Sequence, residues 1–453
     1  MTKLAVLILV LLLAGIVYIF WTWDGSPPSI TWEQAPEQVG KESRISLDIS
    51  DPGKGLSSIE VALVQSGTRT VLLTEDYPFT WPWEAGEVHQ RSIALSPAAT
   101  FGNVTVTPGQ FQLEVRAADQ AGWGFWNHEN TDQRTFEYDI TPPRIEVLSR
   151  LHYIRQGGSE AVLYRVSDDA VSSGIQVGDQ VFRGHPLKER PGEHIGLFAL
   201  RHDQPADSSI SLWAEDLAGN RAQTGFWHKI FPVRFRRRDI QVTDSFIQQT
   251  APEIISHSPQ ISDQGSPLQN FLAVNDNLRQ VNNAQIAEIS LSSADQLLWQ
   301  GPFLQLSNSQ VESAFADHRT YVYDNQVVDR QTHLGFDLAT VSQGPIECSN
   351  DGMVVFADYL GIYGYTVIVD HGLGLMSLYG HMSSMEVQQG DRVSRGQVLG
   401  RTGHTGLAGG DHLHYSMILQ GVQVNPIEWW DAKWVDEHVL SKVRGGTATE
   451  ATN

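Results

Sequence analysis

The chain has a single cysteine, Cys348, among its 453 residues. It cannot form an intramolecular disulfide, which excludes the small disulfide-stapled modules. Basic residues are also scarce, since 31 Lys and Arg against 52 Asp and Glu give a net charge of -21. Such a chain lacks the basic face that non-specific nucleic-acid binding requires. Charged residues make up only 18% of the chain, too few for a disordered protein, and a hydrophobic content of 41% is ample for packed cores.

Charge is absent altogether from Leu4 to Trp23, a run of 20 residues. About 20 apolar residues span a bilayer as a helix, whereas the apolar part of a cleaved signal is about 7–15 residues long. Lys3 precedes the run and Asp24 follows it, which predicts a cytoplasmic N-terminus. Residues 1–24 are therefore predicted to be a single-pass inner-membrane anchor, with all that follows on the periplasmic or extracytoplasmic side. A cleaved signal peptide is the alternative.

One short basic run interrupts this acidic chain, Arg234 to Arg238, with the sequence Arg-Phe-Arg-Arg-Arg. Its simpler interpretation is a solvated strand end or linker. The alternative is a contact with an anionic wall polymer or lipid.

The length predicts roughly three domains at about 150 residues each. From residue 29 onwards, short alternating segments such as Ser43 to Ile49 indicate antiparallel sandwiches with one buried face per sheet. Leu113 to Gly122 is echoed by Ser211 to Asn220, and the copies are followed by Gly124-Phe-Trp126 and Gly225-Phe-Trp227. Together with the stiff Asp-Ile-Thr-Pro-Pro junction at 139–143, this repeat resembles tandem bacterial immunoglobulin-like domains. The boundaries predicted from it are 29–140 and 141–240, and these domains are also candidate surfaces for protein partners.

The rest of the chain, from residue 241 onwards, is predicted to contain a helical linker, a second kind of β domain and a tail. Ser266-Pro267 is a helix-start signal for the linker at 241–297, whose alternative role is a regulatory flap over the active site. Residues 298–430 return to a β pattern, and residues 431–453 are predicted to be a C-terminal helix followed by a disordered tail. The fold class is therefore mainly β, with an N-terminal transmembrane helix and a short helical linker.

The candidate chemistry lies in this C-terminal β domain. His412 and His414 belong to a predicted strand, so both imidazoles project to one face while Leu413 points to the other. His333 and Asp337 lie around Gly335, where a strand that runs into a bend can bring both side chains to one metal. Two imidazoles and one carboxylate can hold Zn²⁺ and leave a fourth position for water, whose pKa falls towards about 7.

The same residues belong to an ordered set of motifs. The set resembles the M23 zinc peptidases of bacterial cell walls, the family that includes lysostaphin and LytM. The motifs are His-x3-Asp at 333–337, Tyr-Gly-His at 379–381, Gly-x-Thr-Gly at 403–406, His-Leu-His at 412–414 and Asn-Pro at 425–426. Asp411 departs from the family's usual proline, which adds a charge near the metal but changes no ligand.

The resemblance implies a LytM-type antiparallel β-sheet peptidase domain with one zinc ion per chain. It implies that His333, Asp337 and His414 bind the metal and that His381 and His412 are catalytic. One imidazole would then activate the metal-bound water as general base, and the other would stabilise the oxyanion or protonate the leaving amine. Which imidazole does which is left open.

The function that the resemblance implies is hydrolysis of peptide bonds in the stem peptides or cross-bridges of peptidoglycan. The first alternative is a non-catalytic LytM-like regulator that binds and activates another cell-wall hydrolase. The second alternative is an adhesive or glycan-binding protein whose work is done by the sandwiches.

Overall fold

The computed structural model describes residues 2–22, 25–78, 80–81, 84–98, 101, 104–120 and 128–444. The first copy of the Gly-Phe-Trp repeat, at 124–126, and the predicted tail from 445 onwards lie outside these residues. The chain divides into two compact units, Met1–Pro143 with Glu215–Arg221, and Arg144–Ala214 with Ala222–Asn453. The fold is mainly β, as predicted.

The first unit begins with helix α1, Thr2–Thr22, which covers the predicted membrane anchor. Within the part of the chain that the structure describes, no helix has the length and hydrophobicity needed to cross a bilayer.

Among the residues that the structure describes between 25 and 143, eight strands form two sheets. β1, β3 and β6 pair in the order β1-β3-β6, and the other five in the order β2-β8-β7-β4-β5. Buried residues of both sheets, such as Leu47 and Val61, form one core, because each strand turns alternate side chains inward. The immunoglobulin-like assignment stays a prediction. The strands are β1 Ser29–Gln34, β2 Gln38–Val39, β3 Ile45–Ser50, β4 Leu56–Gln65, β5 Thr68–Asp76, β6 Gln90–Leu95, β7 Gly109–Asp119 and β8 Glu129–Tyr138.

The second β region forms two four-stranded sheets, β14-β15-β11-β9 and β13-β12-β16-β17, and a parallel pair, β10-β18. Its strands are β9 Ile145–Val147, β10 Tyr153–Arg155, β11 Ser159–Val166, β12 Ala170–Val177, β13 Gln180–Arg183, β14 His185–Pro186, β15 Glu193–Ala199, β16 Ile210–Asp216, β17 Arg221–Gly225 and β18 Lys229–Phe231.

Helices lie between the first strand of the last β region and its other strands. Thr243 caps helix α2, Asp244–His257, and Ser266 caps α3, Pro267–Leu272, with proline at its first turn as the sequence indicated. A π-helical turn, Ala273–Leu278, joins α3 to α4, Arg279–Leu291. Apolar residues of these helices, such as Phe271 and Ile286, pack against one face of the last β region.

The last β region contains β19 Arg237–Gln241, β20 Gln310–Ser313, β21 Asp317–Tyr323, β22 Gln326–His333, β23 Phe336–Ala339, β24 Pro345–Glu347, β25 Gly352–Tyr359, β26 Tyr365–Asp370, β27 Leu375–Met382, β28 Ser384–Met385, β29 Arg392–Val393, β30 Val398–Arg401, β31 Leu413–Leu419 and β32 Val422–Val424. The main sheet has the order β20-β23-β31-β27-β26-β25-β29, with β32 beside β31. Two three-stranded sheets, β19-β21-β22 and β24-β30-β28, flank it. A short 3₁₀ helix, Gly361–Tyr363, precedes β26.

The described part of the chain ends with four short helical segments: α5, Pro426–Trp430, α6, Ala432–Trp434, a π-helical turn, Val435–Leu440, and α7, Ser441–Arg444. These segments and the main sheet share one core with the second β region, to which Tyr164, Leu413 and Trp429 belong. The domain boundaries predicted within this unit stay predictions.

Candidate metal centre

Strand register brings the predicted site residues together. In the main sheet, β31 lies between β23 and β27, and His414 is in register with Asp337 on one side and Gly380 on the other. His333 ends β22 of the neighbouring sheet, and a two-residue turn leads from it into β23. All five predicted side chains therefore line one small cleft, of about 110 Å³.

Three of these side chains are spaced as metal ligands would be. His333 Nε2 lies 2.9 Å from Asp337 Oδ1. His414 Nδ1 lies 3.1 Å from His333 Nε2 and 3.1 Å from Asp337 Oδ1. Ligands bound tetrahedrally to zinc at about 2.0–2.1 Å would be about 3.3 Å apart. His333, Asp337 and His414 thus form a candidate metal site.

Outer hydrogen bonds leave a lone pair on each inward imidazole nitrogen. His333 Nδ1 donates to the carbonyl of Ala314 at 3.1 Å, so its Nε2 is free to coordinate. Ser416 Oγ donates to the carbonyl of Leu334 at 2.8 Å and accepts from His414 Nε2 at 3.0 Å, so Nδ1 of His414 is free. The donor set of two neutral imidazoles and one carboxylate fits Zn²⁺.

His381 and His412 form a second imidazole pair, with ring centroids 4.8 Å apart. His381 Nδ1 donates to the carbonyl of Thr405 and His412 Nδ1 to that of Gly410, each at 2.8 Å. The Nε2 atom of each ring is therefore left for proton transfer. That of His412 is 3.5 Å from Asp337 Oδ1.

A β-bulge sets the direction of His381. Tyr379 and Met382 both belong to the core that the main sheet shares with the second β region, although strict alternation would place them on opposite faces. The register of β27 shifts between these residues, and His381 has a φ of 59°. This left-handed conformation is uncommon in a non-glycine residue and, with the extra residue, turns the imidazole toward the cleft.

The pKa values of the two catalytic candidates are shifted in opposite directions. Burial, followed by the neighbouring imidazoles of His412 and His414, holds the pKa of His381 well below its usual range. Burial also acts to lower the pKa of His412, but its interaction with Asp337 outweighs this and raises the pKa. Burial lowers the pKa of His414 to about 4.

The pKa of Asp337 is well below its usual range, because His333 and the other imidazoles outweigh the opposing effect of burial. Asp337 is thus a carboxylate, and His414 a neutral imidazole, without a metal.

Arg319 is a site residue that sequence reasoning missed. Its Nη2 donates to Asp337 Oδ2 at 2.8 Å, which occupies one carboxylate oxygen and leaves Oδ1 for a metal. Arg319 lies in β21, in register with Gln331 of β22, and this pairing brings it to the cleft. From the sequence, strand alternation predicts that Arg319 shares a face with Tyr321. It does not predict that Arg319 lies beside Asp337.

Gly335 allows His414 to approach the turn between β22 and β23. A Cβ atom at Gly335 would lie 2.7 Å from His414 Nε2 and 2.6 Å from Ser416 Oγ. Any other residue would therefore displace the imidazole or its hydrogen-bond partner.

Two other histidines of this domain, His371 and His404, do not line the cleft. His371 is buried between the carbonyl of Asp351 and Ser377 Oγ, and burial lowers its pKa to about 4. His404 is exposed.

Several known proteins are similar in sequence to this part of the chain. Residues 331–426 match the sequence model of Peptidase family M23. DD-carboxypeptidase/endopeptidase Mpg of Neisseria meningitidis serogroup B is 39% identical over 95 residues, which are 21% of this chain and 22% of that protein. Peptidoglycan DD-endopeptidase ShyA of Vibrio cholerae is 35% identical over 122 residues, 27% of this chain and 28% of that protein.

A third relative is named as an activator of hydrolases and not as a peptidase. Murein hydrolase activator EnvC of Escherichia coli K12 is 43% identical over 107 residues, 24% of this chain and 26% of that protein. This chain therefore covers only about a quarter of the length of the curated relatives it matches. Within that shared region, residues 331–426 of this chain are a peptidase family M23 domain.

Proposed function

We propose that this chain is a zinc metalloendopeptidase that hydrolyses peptide bonds in the stem peptides or cross-bridges of peptidoglycan. One observation carries the proposal: a His-Asp-His donor set lies beside a second imidazole pair whose Nε2 atoms are uncommitted to the backbone. The substrate class is supported by relatives that are named as peptidoglycan and DD-endopeptidases.

Zn²⁺ held by His333, Asp337 and His414 would supply a Lewis acid and lower the pKa of water in its open position. The side chains of the cleft transfer protons and orient the metal ligands. His381 and His412, with Nδ1 of each fixed by a backbone carbonyl, present Nε2 to accept a proton from water and to deliver one to the departing amine. Arg319 holds the Asp337 carboxylate in one orientation.

The test of this proposal is the release of new amine termini from purified peptidoglycan by the full chain. His414→Ala is expected to lose both zinc and amine release, because it removes one of three ligands. His404→Ala is the matched control, since this exposed histidine of the same domain lies outside the cleft and should keep both. Amine release by a zinc-free His414→Ala chain would refute the ligand assignment.

A non-catalytic regulator is the second candidate function, because one relative is named as an activator of murein hydrolases. In that case the chain would bind a separate hydrolase and release no fragments alone. Mass spectrometry of defined cross-linked muropeptides, incubated with the zinc-loaded chain only, separates the two functions. It also identifies the cleaved bond.

The periplasmic location of the residues after Asp24, and their anchoring to the inner membrane by residues 1–24, stay predictions. Apolar side chains of α1, among them Leu4 and Leu11, are exposed. A large exposed apolar surface is typical of a site that contacts a membrane or another protein. We expect the chain to sediment with inner membranes, and a chain that starts at residue 25 to be released. Sedimentation that does not depend on residues 1–24 would contradict the anchor.

A further inference from the structure

A groove of about 570 Å³ adjoins the metal cleft. Arg279 and Arg319 line both, so the groove and the cleft are continuous. The groove is lined by His202, Arg237, Arg279, Asn283, His318 and Arg319, with Thr320 and residues 330–332 and 334.

The lining is strongly basic in a chain whose net charge is -21. It contains four arginines and two histidines, and no carboxylate is among the described residues that line it. Two of the arginines already have partners, since Arg319 binds Asp337 and Arg279 binds Asn275. Within the described chain, the exposed guanidinium groups of Arg237 and Arg330 make no hydrogen bond or ion pair, so they are available to a ligand.

The three-stranded sheet β19-β21-β22 places these free groups together. Arg237 is in register with His318, and His318 with Thr332, whose hydroxyl lies 3.2 Å from His318 Nδ1. Arg330 lies two residues from Thr332 on the same face of β22, because alternate residues share a face. β21 lies between β19 and β22, so two strand spacings of about 4.8 Å and a two-residue offset put the Cα atoms of Arg237 and Arg330 about 12 Å apart. The two long side chains can reach one small anion between them.

The acidic groups near this sheet form no ion pair with Arg237 or Arg330 in the part of the chain that the structure describes. Asp239 lies on the same face as Arg237, in register with Thr320, but forms no ion pair with either free arginine among the described residues. Asp329 accepts hydrogen bonds from Asn275 and Gln331. Asp276 accepts from Gln280.

We propose that this groove binds a free carboxylate of the peptide substrate, held by Arg237 and Arg330, while the scissile bond lies at the metal cleft. The inference rests on the proposed endopeptidase function and narrows its substrate to acidic peptides. Arginine suits this ligand because its planar fork binds a carboxylate through two parallel hydrogen bonds. The groove also assigns a role to the run at 234–238, of which Arg237 is the member that lines it.

The test measures binding and hydrolysis separately. The zinc-loaded full chain carrying His381→Ala is titrated calorimetrically with a cross-linked muropeptide dimer, either with free carboxylates or with these converted to carboxamides. The free dimer is expected to bind more tightly by about five- to tenfold per arginine used. Arg237→Gln with Arg330→Gln is expected to abolish that preference, and Arg234→Gln, an exposed member of the same run outside the groove, to leave it unchanged.

Equal binding of the two dimers, or an equal loss from Arg234→Gln, overturns the carboxylate site. The same variants in the otherwise unaltered chain are then assayed for turnover, where KM is expected to rise and kcat to stay constant. Absence of hydrolysis by the unaltered chain, with carboxylate-dependent binding intact, counts against the endopeptidase function alone.

Discussion

At the residue scale, the cleft depends on side chains that hold other side chains. Arg319 fixes one oxygen of Asp337, Ala314 fixes the tautomer of His333, and Ser416 fixes that of His414. Such outer partners commonly change metal affinity by about 10- to 100-fold when they are removed. Substitution of such a partner therefore distinguishes a residue that orients a metal ligand from a residue that binds the metal itself.

Arg319→Ala is expected to weaken zinc binding by about 10- to 100-fold, because Asp337 loses the group that orients it. Arg319→Lys should recover part of the affinity, since the positive charge remains. Competitive chelator titration measures both. Arg330→Ala, on the neighbouring strand and without contact to Asp337, is the control, and an equal loss in that variant would refute a positioning role.

Gly335→Ala is expected to weaken zinc binding and to lower the free energy of unfolding by about 1–3 kcal/mol, because the new methyl group overlaps His414 and Ser416. Gly410→Ala is the matched control, since a Cβ there meets nothing within 4 Å. Thermal unfolding and chelator titration of both proteins would show the difference. Unchanged zinc affinity in Gly335→Ala would mean that the turn relaxes freely.

At the element scale, the end of the chain is joined to the second β region by buried polar contacts. Ser159 N and Oγ of β11 donate to Glu428 Oε2 of α5, at 2.8 and 3.2 Å. Lys442 Nζ of α7 donates to Glu160 Oε1 at 2.8 Å. Burial raises the pKa of Glu428 to about 8 from its ordinary 4.5.

This raised pKa predicts the direction of a pH effect on stability. The protonated form of Glu428 is favoured in the folded chain, so its contribution is fully present below about pH 4.5 and is lost as the pH rises through about 8. Glu428→Gln should therefore lose less stability than the unaltered chain between pH 5 and 9, by on the order of 2–4 kcal/mol. Denaturant unfolding at several pH values measures this, and parallel pH profiles would contradict it.

The elements also show what the sequence could predict. The extended backbone of residues 412–414, which leads into β31, gave the shared face of His412 and His414, with Leu413 in the opposite core. The same rule fails for His381, because a bulge shifts the phase of β27 and the motif carries no local signal of it. The sequence did not predict the position of Arg319 in the cleft, because this position depends on the pairing of β21 with β22 and on the turn after β22. Neither has a signal in the sequence around Arg319.

At the scale of the whole molecule, the mainly β class and the family of residues 331–426 were predictable, because motifs in order are a local property of the sequence. The shared core of the second unit was not, since contacts between distant strands leave no periodic pattern. That core joins residues such as Tyr164 and Phe198 to Leu413 and Trp429.

The shared core predicts which fragments fold. A chain of residues 144–444 is expected to keep zinc binding and one cooperative unfolding transition. A chain of residues 298–444 should unfold at a lower temperature, because it leaves Glu428 and Lys442 without their partners and removes the helices that cover the main sheet. Calorimetry of both fragments tests this, and equal transition temperatures with equal zinc affinity would show that the shared core adds no stability.

The proposed peptidase function requires that a histidine outside the metal ligands performs proton transfer on a peptide bond of the wall. Turnover of a defined cross-linked muropeptide dimer by the zinc-loaded chain, with and without His381→Ala, tests this requirement. We predict that His381→Ala keeps one zinc ion per chain and loses turnover by at least ~10²-fold. Unchanged turnover in a fully zinc-loaded His381→Ala chain would show that His381 takes no part in proton transfer.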